Sequence, residues 1–439
     1  MENKRVEPKT IAGFMELLPN EQILFNQMMD TIKKSYESFG FLPIDTPIIE
    51  YSDVLLAKAG GETEKQIYRF EKGENDLSLR FDLTVPLAKY VSEYYGNLSF
   101  PFRRYQIGKV YRGEKPQRGR YREFYQCDID IIGDGEISVI NEAEMPAVIY
   151  KTFKNLGFDN FTIYMNNRKI LNGLFESLGL KENAADVMRI IDKFDKIGED
   201  GVRAELTKIE VNESALNKIM EFILITGTTD EKVNALKNIN IENDLFKEGV
   251  SELETVVSAI RMFGVPDEYF TVDLKIARGL DYYTGTVYET LLNDYKSLGS
   301  ICSGGRYDNL AEFYTDKKLP GVGISIGLTR LFFQLNEAKL IKAERNSIAK
   351  LLVISMDDDI NEALKVSSEI RDAGIQVEVY VENKKKPKAK MKYADKLAIP
   401  YILIIGEEER ETKIYTLKDM QTGEQEKLSV DAIIEKLKD

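Results

Sequence analysis

The segment Phe102–Ile132 constrains the fold more than any other stretch of this chain. It reads as a strand over Arg104–Arg112, a nine-residue loop over Gly113–Tyr121 punctuated by Gly113, Pro116 and Gly119, and a returning strand over Arg122–Ile132. On the returning strand a period of two puts Tyr125, Cys127, Ile129 and Ile131 on one face. Arg122, Phe124, Gln126, Asp128 and Asp130 share the other. The apolar face must be covered, while the polar face either meets water or holds a small polar ligand. The pair is also basic: Phe102–Arg122 carries six Arg and two Lys against one Glu, +7 within a chain of net charge −13. A loop that long and that basic suits phosphate, with a solvated, salt-bridged hairpin as the competing reading.

A second signal is Gly321–Arg330. On a strand, Gly321, Gly323, Ser325 and Gly327 leave one face nearly bare while Val322, Ile324, Ile326 and Leu328 pack behind it. A bare face admits either a flat ligand, with Arg330 stacked or pairing phosphate, or close packing by the protein itself. A third is the concentration of Arg278, Gly279, Tyr282 and Tyr283 ahead of Gly304, Gly305, Arg306, Tyr307 and Asp308. Paired tyrosines are often simply core, so this signal alone is weak. Asn383–Lys392 holds six lysines and no acid, either a solvated run or an RNA phosphate contact.

Composition removes whole classes of chemistry. The 439 residues include no histidine, no tryptophan and two cysteines. Ser-His-Asp triads and histidine metal sites are therefore excluded, and Cys127 with Cys302 cannot fill a zinc tetrahedron. The glycine spacing at Gly321–Gly327 is wrong for a dinucleotide fingerprint, and the Walker-like string from Gly108 to Gly113 continues with Glu114 rather than Lys. No zinc, haem or dinucleotide is expected. The polar start and the lack of an apolar run near ~18 residues lead to the expectation of a cytoplasmic protein with no membrane partner.

Along the chain, Phe25, Met28, Met29, Ile32 and Tyr36 predict a helix capped at Asn20 and stopped at Gly40. From Phe41 to about Gly133 the pattern is mixed, with strands expected around Leu77–Arg80, Arg104–Arg112 and Arg122–Ile132, then helices from about Asn167 to Gly264. One helical stripe is Val187, Ile190, Ile191, Phe194 and Ile197, and another Leu253, Val256, Val257 and Ile260. Strand texture resumes over Leu274–Leu331, which implies one α+β domain with a helical insertion. Past Glu344–Ser347, apolar runs at Lys350–Ser355, Val377–Val381 and Tyr401–Ile405 alternate with helices at Ile360–Ala373 and Met391–Leu397, predicting a parallel or mixed α/β sheet.

Taken together, these strings resemble the histidyl-tRNA synthetase family of class II aminoacyl-tRNA synthetases over nearly the whole chain. Val110–Gln117 with Arg122–Phe124 resembles motif 2, Gly323–Arg330 motif 3, and Ile44–Pro47 the end of motif 1, which implies a homodimer. Arg278–Tyr283 and Gly304–Asp308 resemble two strings specific to the histidine family, and Lys392–Pro400 its anticodon-binding domain. The implied fold is α+β: an antiparallel-sheet catalytic domain with a helical insertion, plus a C-terminal α/β anticodon-binding domain. The implied boundaries are 1–166 and 265–345 for the catalytic domain, 167–264 for the insertion and 346–439 for the anticodon domain.

The resemblance implies ATP-dependent attachment of L-histidine to its tRNA through a histidyl-adenylate, with Mg²⁺ entering on ATP. Arg112 would hold the α-phosphate, with Arg278 opposite as a second catalytic arginine that also touches histidine. Phe124 and Arg330 would sandwich adenine, and Glu114 would join the ATP site. Asp82, Thr84 and Gln126 would take the α-amino group, while Asp130, Tyr282 and Tyr283 read the imidazole. Gln117 and Arg118 are candidates for tRNA contact, and the lysine run would flank the anticodon surface. Three positions depart from the family pattern: Thr329 stands where motif 3 usually has Glu, Gly113 where His or a larger residue is common, and Gly13–Glu16 differs at its acidic position. The alternative is a non-catalytic paralogue, such as the regulatory subunit of ATP phosphoribosyltransferase. An enzyme of this family without histidine needs none of its own product to be translated; compositional drift, which the missing Trp also suits, is the competing explanation.

Overall fold

The structure, a computed structural model, describes residues 5–57, 62–115, 119–276, 282–382 and 386–438, without the side chains of Glu62, Thr63 and Leu298. Arg278, Gln117, Arg118 and part of the lysine run (383–385) lie outside the described residues. The chain forms two compact units, Met1–Met15 with Met29–Ala338, and Glu16–Met28 with Lys339–Asp439.

In the first unit the described residues build an eight-stranded sheet. Its order is Leu42–Pro43, Phe102–Tyr111, Glu123–Ile132, Gly321–Gly327, Cys302–Tyr307, Thr286–Leu292, Phe161–Asn167 and Phe270–Val272. Only the two outermost pairings are parallel. The central strands pair antiparallel, as the strand–loop–strand pattern requires. Alternation on Glu123–Ile132 follows the predicted faces: Cys127, Ile129 and Ile131 are fully buried behind the sheet, where Tyr36 bonds the Cys127 carbonyl at 2.9 Å. A smaller antiparallel sheet joins Ile49–Tyr51, Asn75–Leu79 and Arg69–Lys72.

Helices fill the stretch predicted as an insertion. It opens where Asn167, the last residue of its strand, caps the helix Arg168–Ser177 by accepting from the Lys169 N–H. Leu253, Val256, Val257 and Ile260 are buried on the helix Asp244–Met262, as their spacing predicts. Two local expectations fail. The Val187–Ile197 stripe is two helices, Ala184–Ile191 and Phe194–Lys208, the second broken at Gly198 (φ 68°), and Ile197 is exposed. Asn20 lies inside the helix Pro19–Ser38, whose first turn is instead closed by Glu21 accepting from the Leu18 N–H at 3.3 Å. Gly40, at φ 76°, follows that helix as expected.

The second unit carries a five-stranded sheet ordered Val377–Tyr380, Leu351–Ser355, Tyr401–Ile405, Tyr415–Asp419, Gln425–Leu428. The first three strands are parallel and the last two antiparallel. Helices Asn361–Asp372 and Val430–Leu437 bury Ile370, Ile433 and Leu437 in one core with Leu351, Val353 and Leu403. Lys390, from the lysine run, is buried and donates to the Ser355 carbonyl at 2.7 Å, so it belongs to the core of this unit rather than to a charged surface.

Candidate active site

A cleft of about 400 Å³ opens on the first unit. Its floor is the face of Glu123–Ile132 that carries Phe124, Gln126, Asp128 and Asp130, continued by Gly323, Ser325 and Gly327 on the next strand. Asp82, Thr84, Arg112, Glu114, Tyr282, Tyr283 and Arg330 also line it. The alternation of one strand and the bareness of its neighbour thus make one cavity, and all described residues given a histidine or ATP role above lie on it.

At the outer end Arg112 follows the strand Phe102–Tyr111. Its guanidinium stands 4.4 Å from the centre of the Phe81 ring and 5.0 Å from that of Phe124, and its Nε donates to the Phe81 carbonyl at 3.3 Å. Stacking on two rings fixes the plane of the cation and leaves donors for an anion. Burial lowers its pKa, with Asp82 and Glu114 opposing that shift. The loop is braced: the Arg112 N–H donates to the Arg122 carbonyl, Arg122 Nε donates to the Glu114 carbonyl, and the Arg122 N–H donates to the Gly13 carbonyl.

These contacts bear on two of the three departures from the family pattern, Gly113 and Thr329; nothing in the structure explains Glu16. Gly13, which keeps the family glycine, is at φ 87°, and a Cβ there would meet Arg122 Cγ at 2.9 Å. The Gly113 N–H donates to the Gln66 carbonyl at 2.7 Å, an approach that a side chain would crowd. Thr329 is buried behind the sheet and its hydroxyl accepts from the Tyr125 N–H at 2.8 Å, so it positions the Phe124 strand rather than the nucleotide.

The inner end is built around Asp130. Arg104, fully buried, pairs with its Oδ2 at 2.5 Å, and the Tyr307 hydroxyl donates to its Oδ1 at 2.6 Å. Tyr282 packs edge-on against both Tyr283 and Tyr307, at 5.0 and 5.8 Å between ring centres. Asp82 accepts from the Val85 N–H at 3.0 Å at the start of the helix Thr84–Glu93, and burial raises its pKa. Gln126 Nε2 donates to Ser325 Oγ at 2.7 Å. Burial pushes Asp128 up to about 7 and Asp130 to about 6, with Arg104 opposing both.

Two expectations need correction. The bare face of the glycine strand is only partly open to a ligand. At Gly323 it admits the Asp130 carboxylate, and at Gly321 the Tyr307 ring; a Cβ would lie 2.1 and 2.6 Å from these. Nor is the basic run mostly free for phosphate: Arg103 pairs with Glu144, Arg104 with Asp130, Lys109 with Glu123 and Arg120 with Glu114. Sequence reasoning gave no role to Arg104, Asp128, Tyr307 or Ser325. Asp128 and Ser325 were flagged by alternation alone, whereas Arg104 was hidden inside a phosphate-like cluster.

Comparison with known proteins bears on the same residues. Residues 13–331 match the family model for histidyl-tRNA synthetase, and residues 350–439 that for an anticodon binding domain. Histidine–tRNA ligase of Clostridium tetani is 58% identical over 439 residues, all of both chains. That of Finegoldia magna is 48% identical over 433 residues, 99% of this chain and 100% of its own. The crystal structure of histidyl-tRNA synthetase from Nostoc sp. PCC 7120 superposes with a TM-score of 0.91 at 42% identity, covering 99% of each chain.

Proposed function

The chain belongs to the histidyl-tRNA synthetase family and charges tRNA with histidine, and from that premise we propose how the residues of the cleft divide the work. The carrying observation is that one cavity joins a stacked guanidinium, Arg112, to a carboxylate held by two donors, Asp130.

The histidine carboxylate attacks the α-phosphorus of ATP and pyrophosphate leaves; a hydroxyl of the terminal adenosine of the tRNA then takes the acyl group and AMP leaves. Neither step needs a protein nucleophile, which suits a chain without histidine. Arg112 meets the charge that develops on the α-phosphate, its plane preset by Phe81 and Phe124. Phe124 and Arg330 hold adenine, with Glu114 beside them. Mg²⁺, arriving with ATP, neutralises phosphate charge; the side chains above hold the nucleotide around it. Asp82, Thr84 and Gln126 take the ammonium group, a cation among a carboxylate, a hydroxyl and an amide. Asp130, with Tyr282 and Tyr283 around it, accepts a ring N–H, and an apolar analogue would leave that buried carboxylate unanswered. Arg278 is assigned its place at the α-phosphate by resemblance alone, as are Gln117 and Arg118 at the tRNA.

The proposed domains are catalytic over 1–166 and 265–345, insertion over 167–264 and anticodon-binding over 346–439, working in the cytoplasm where tRNA is charged. Among the described residues no helix is long and apolar enough to cross a membrane. A homodimer is supported by Leu42, Ile48, Ile49 and Tyr51, large apolar side chains exposed on and beside the edge strands that flank motif 1. The regulatory-paralogue alternative is not favoured, because the match to the anticodon domain runs over 350–439 and the cleft keeps Arg112 and Arg330.

ATP–pyrophosphate exchange across a panel of amino acids tests this reading. Exchange stimulated by histidine alone is expected, and no exchange with any amino acid at millimolar concentration would refute it. In the same assay Arg278→Ala should slow adenylate formation far more than it weakens histidine binding. Equal losses would remove its catalytic role.

A further inference from the structure

The strand Glu123–Ile132 turns two buried carboxylates into the cleft two residues apart, Asp128 and Asp130, and their situations differ. Asp130 has Arg104 on one oxygen and the Tyr307 hydroxyl on the other. Asp128 is 2% exposed and makes no ion pair among the described residues; the Ser325 side chain hydrogen-bonds its carboxylate, but its Oδ1 is buried without a hydrogen-bond partner. A buried carboxylate in that state is unfavourable unless something brings it a cation or a proton.

Among the described residues, the groups around Asp128 do not supply one. Its own strand adds the like charge of Asp130, and the segment before Thr84 adds Asp82. The strand Phe102–Tyr111 brings Arg104, which is engaged by Asp130, and Gln106, which donates to Asp45. Arg80 lies near but pairs with Asp45 at 3.5 Å, and Arg112 is stacked at the outer end. Across the sheet stands the neutral Ser325, and Tyr36, Tyr283 and Cys302 are neutral groups whose own ionisation is pushed up by burial. A bound histidine answers Asp82 with its ammonium group and Arg112 with its carboxylate or the phosphate that carboxylate attacks. Asp130 is answered by Arg104. Among the described residues Asp128 alone is left over.

Resting on the reading of this cleft as a histidine pocket, we propose that Asp128 is a specificity-determining residue that holds the substrate ring as imidazolium, one ring N–H directed to Asp128 and the other to Asp130. Two residues along a strand span about 6.5–7 Å. A five-membered ring with an N–H···O bond of about 2.7–3.2 Å on each side bridges such a gap. The extra proton comes from solvent when the pH lies above the ring's ordinary value near 6.5, so histidine binding takes up as much as one proton. The upward shift of both carboxylates in the empty cleft agrees with this, since the site holds more negative charge than its cations answer. A neutral isostere of the ring leaves Asp128 unanswered, and that is the source of the selectivity.

The absence of histidine from the chain makes the test direct, because ring-¹⁵N-labelled histidine bound to the full-length enzyme contributes the only imidazole signals. The bound ring should titrate at least one unit above its free value, a tenfold preference for the protonated form. Calorimetry in two buffers of different ionisation enthalpy should show proton uptake at pH 7.5. Asp128→Asn should return the ring toward its free value, abolish the uptake and leave ATP affinity within twofold; Asp128→Glu should restore part of the shift. A bound ring that is neutral at pH 7 in the wild-type enzyme overturns the proposal while leaving the histidine pocket intact, and so does an Asp128→Asn variant with an unchanged ring. Failure of the wild-type enzyme to bind histidine at all removes the pocket reading and this proposal together. If Asp128→Asn does not fold, the wild-type titration decides by itself.

Discussion

Gly323→Ala is the smallest change that isolates the inner end of the cleft. Gly323 lies directly across from Asp130 in the sheet, and a Cβ there would stand 2.1 Å from Asp130 Oδ1 and 2.5 Å from the Ile129 carbonyl oxygen. Ordinary contact begins at 3.4 Å, so the carboxylate must retreat by about 1.3 Å, the difference of the two distances. The Ile129 carbonyl is part of the sheet backbone, so its clash is relieved only by a local parting of the two strands, and the strain falls on backbone and side chain together. That retreat breaks the 2.5 Å pairing with Arg104 and the 2.6 Å bond from Tyr307. Misplacement of a positioned group by ~1 Å is worth about 100-fold in rate, whereas overpacking by one methyl costs about 1–3 kcal/mol of stability. The variant should therefore remain folded and lose about 100-fold in kcat/KM for histidine, with the KM for ATP nearly unchanged. Pyrophosphate exchange with each substrate varied in turn measures both. A variant within threefold of wild type on histidine, or one that loses equally on ATP, would show that Asp130 does not read the ring from this position.

Arg104→Met leaves Asp130 buried without its cation and should lower unfolding stability by roughly 3–5 kcal/mol; an unchanged denaturation midpoint would show that the pair is not what holds Asp130. The ligand-free enzyme should lose stability as pH rises from about 4 to about 7, because carboxyls raised in the folded state bind more protons than in the unfolded chain. Melting temperatures should show this decline, and Asp128→Asn should flatten it; a rising profile would contradict the assigned direction. Ile49→Lys with Tyr51→Lys should yield a monomer by light scattering, and a persistent dimer would place the interface elsewhere.

What the sequence made legible follows from which physical signals are local. Alternation along Arg122–Ile132 placed the cleft floor correctly because one sheet face must be covered, and strict period two leaves no other assignment. The Val187–Ile197 stripe misled because a helical period can continue across a turn: the spacing survives while the backbone leaves the helix between Ile191 and Phe194. The strand Gln425–Leu428 gave no signal because it is an edge, largely exposed and charged, with no apolar row to count. Asn20 failed as a cap because Glu21 can close the first turn from inside it, so an acceptor near a helix start does not by itself fix where the helix begins.

Charge shows the same limit more sharply. Read along the chain, +7 over Phe102–Arg122 looks like phosphate affinity spread across a hairpin. In the fold, acids distant in sequence come to meet it: Glu144 takes Arg103 from 41 residues away, and Asp130 draws Arg104 out of solvent entirely. Formal charge counts groups, whereas the site depends on which groups stay unanswered after the strands pair. By that measure the phosphate affinity proposed for the outer end rests less on density than on one guanidinium whose plane is set by Phe81 and Phe124. The selectivity proposed for the inner end rests on negative charge carried by the strand that pairs with the basic one. A count of residues cannot find such an inversion; pairing register can, because Arg104 and Asp130 stand opposite each other on adjacent strands.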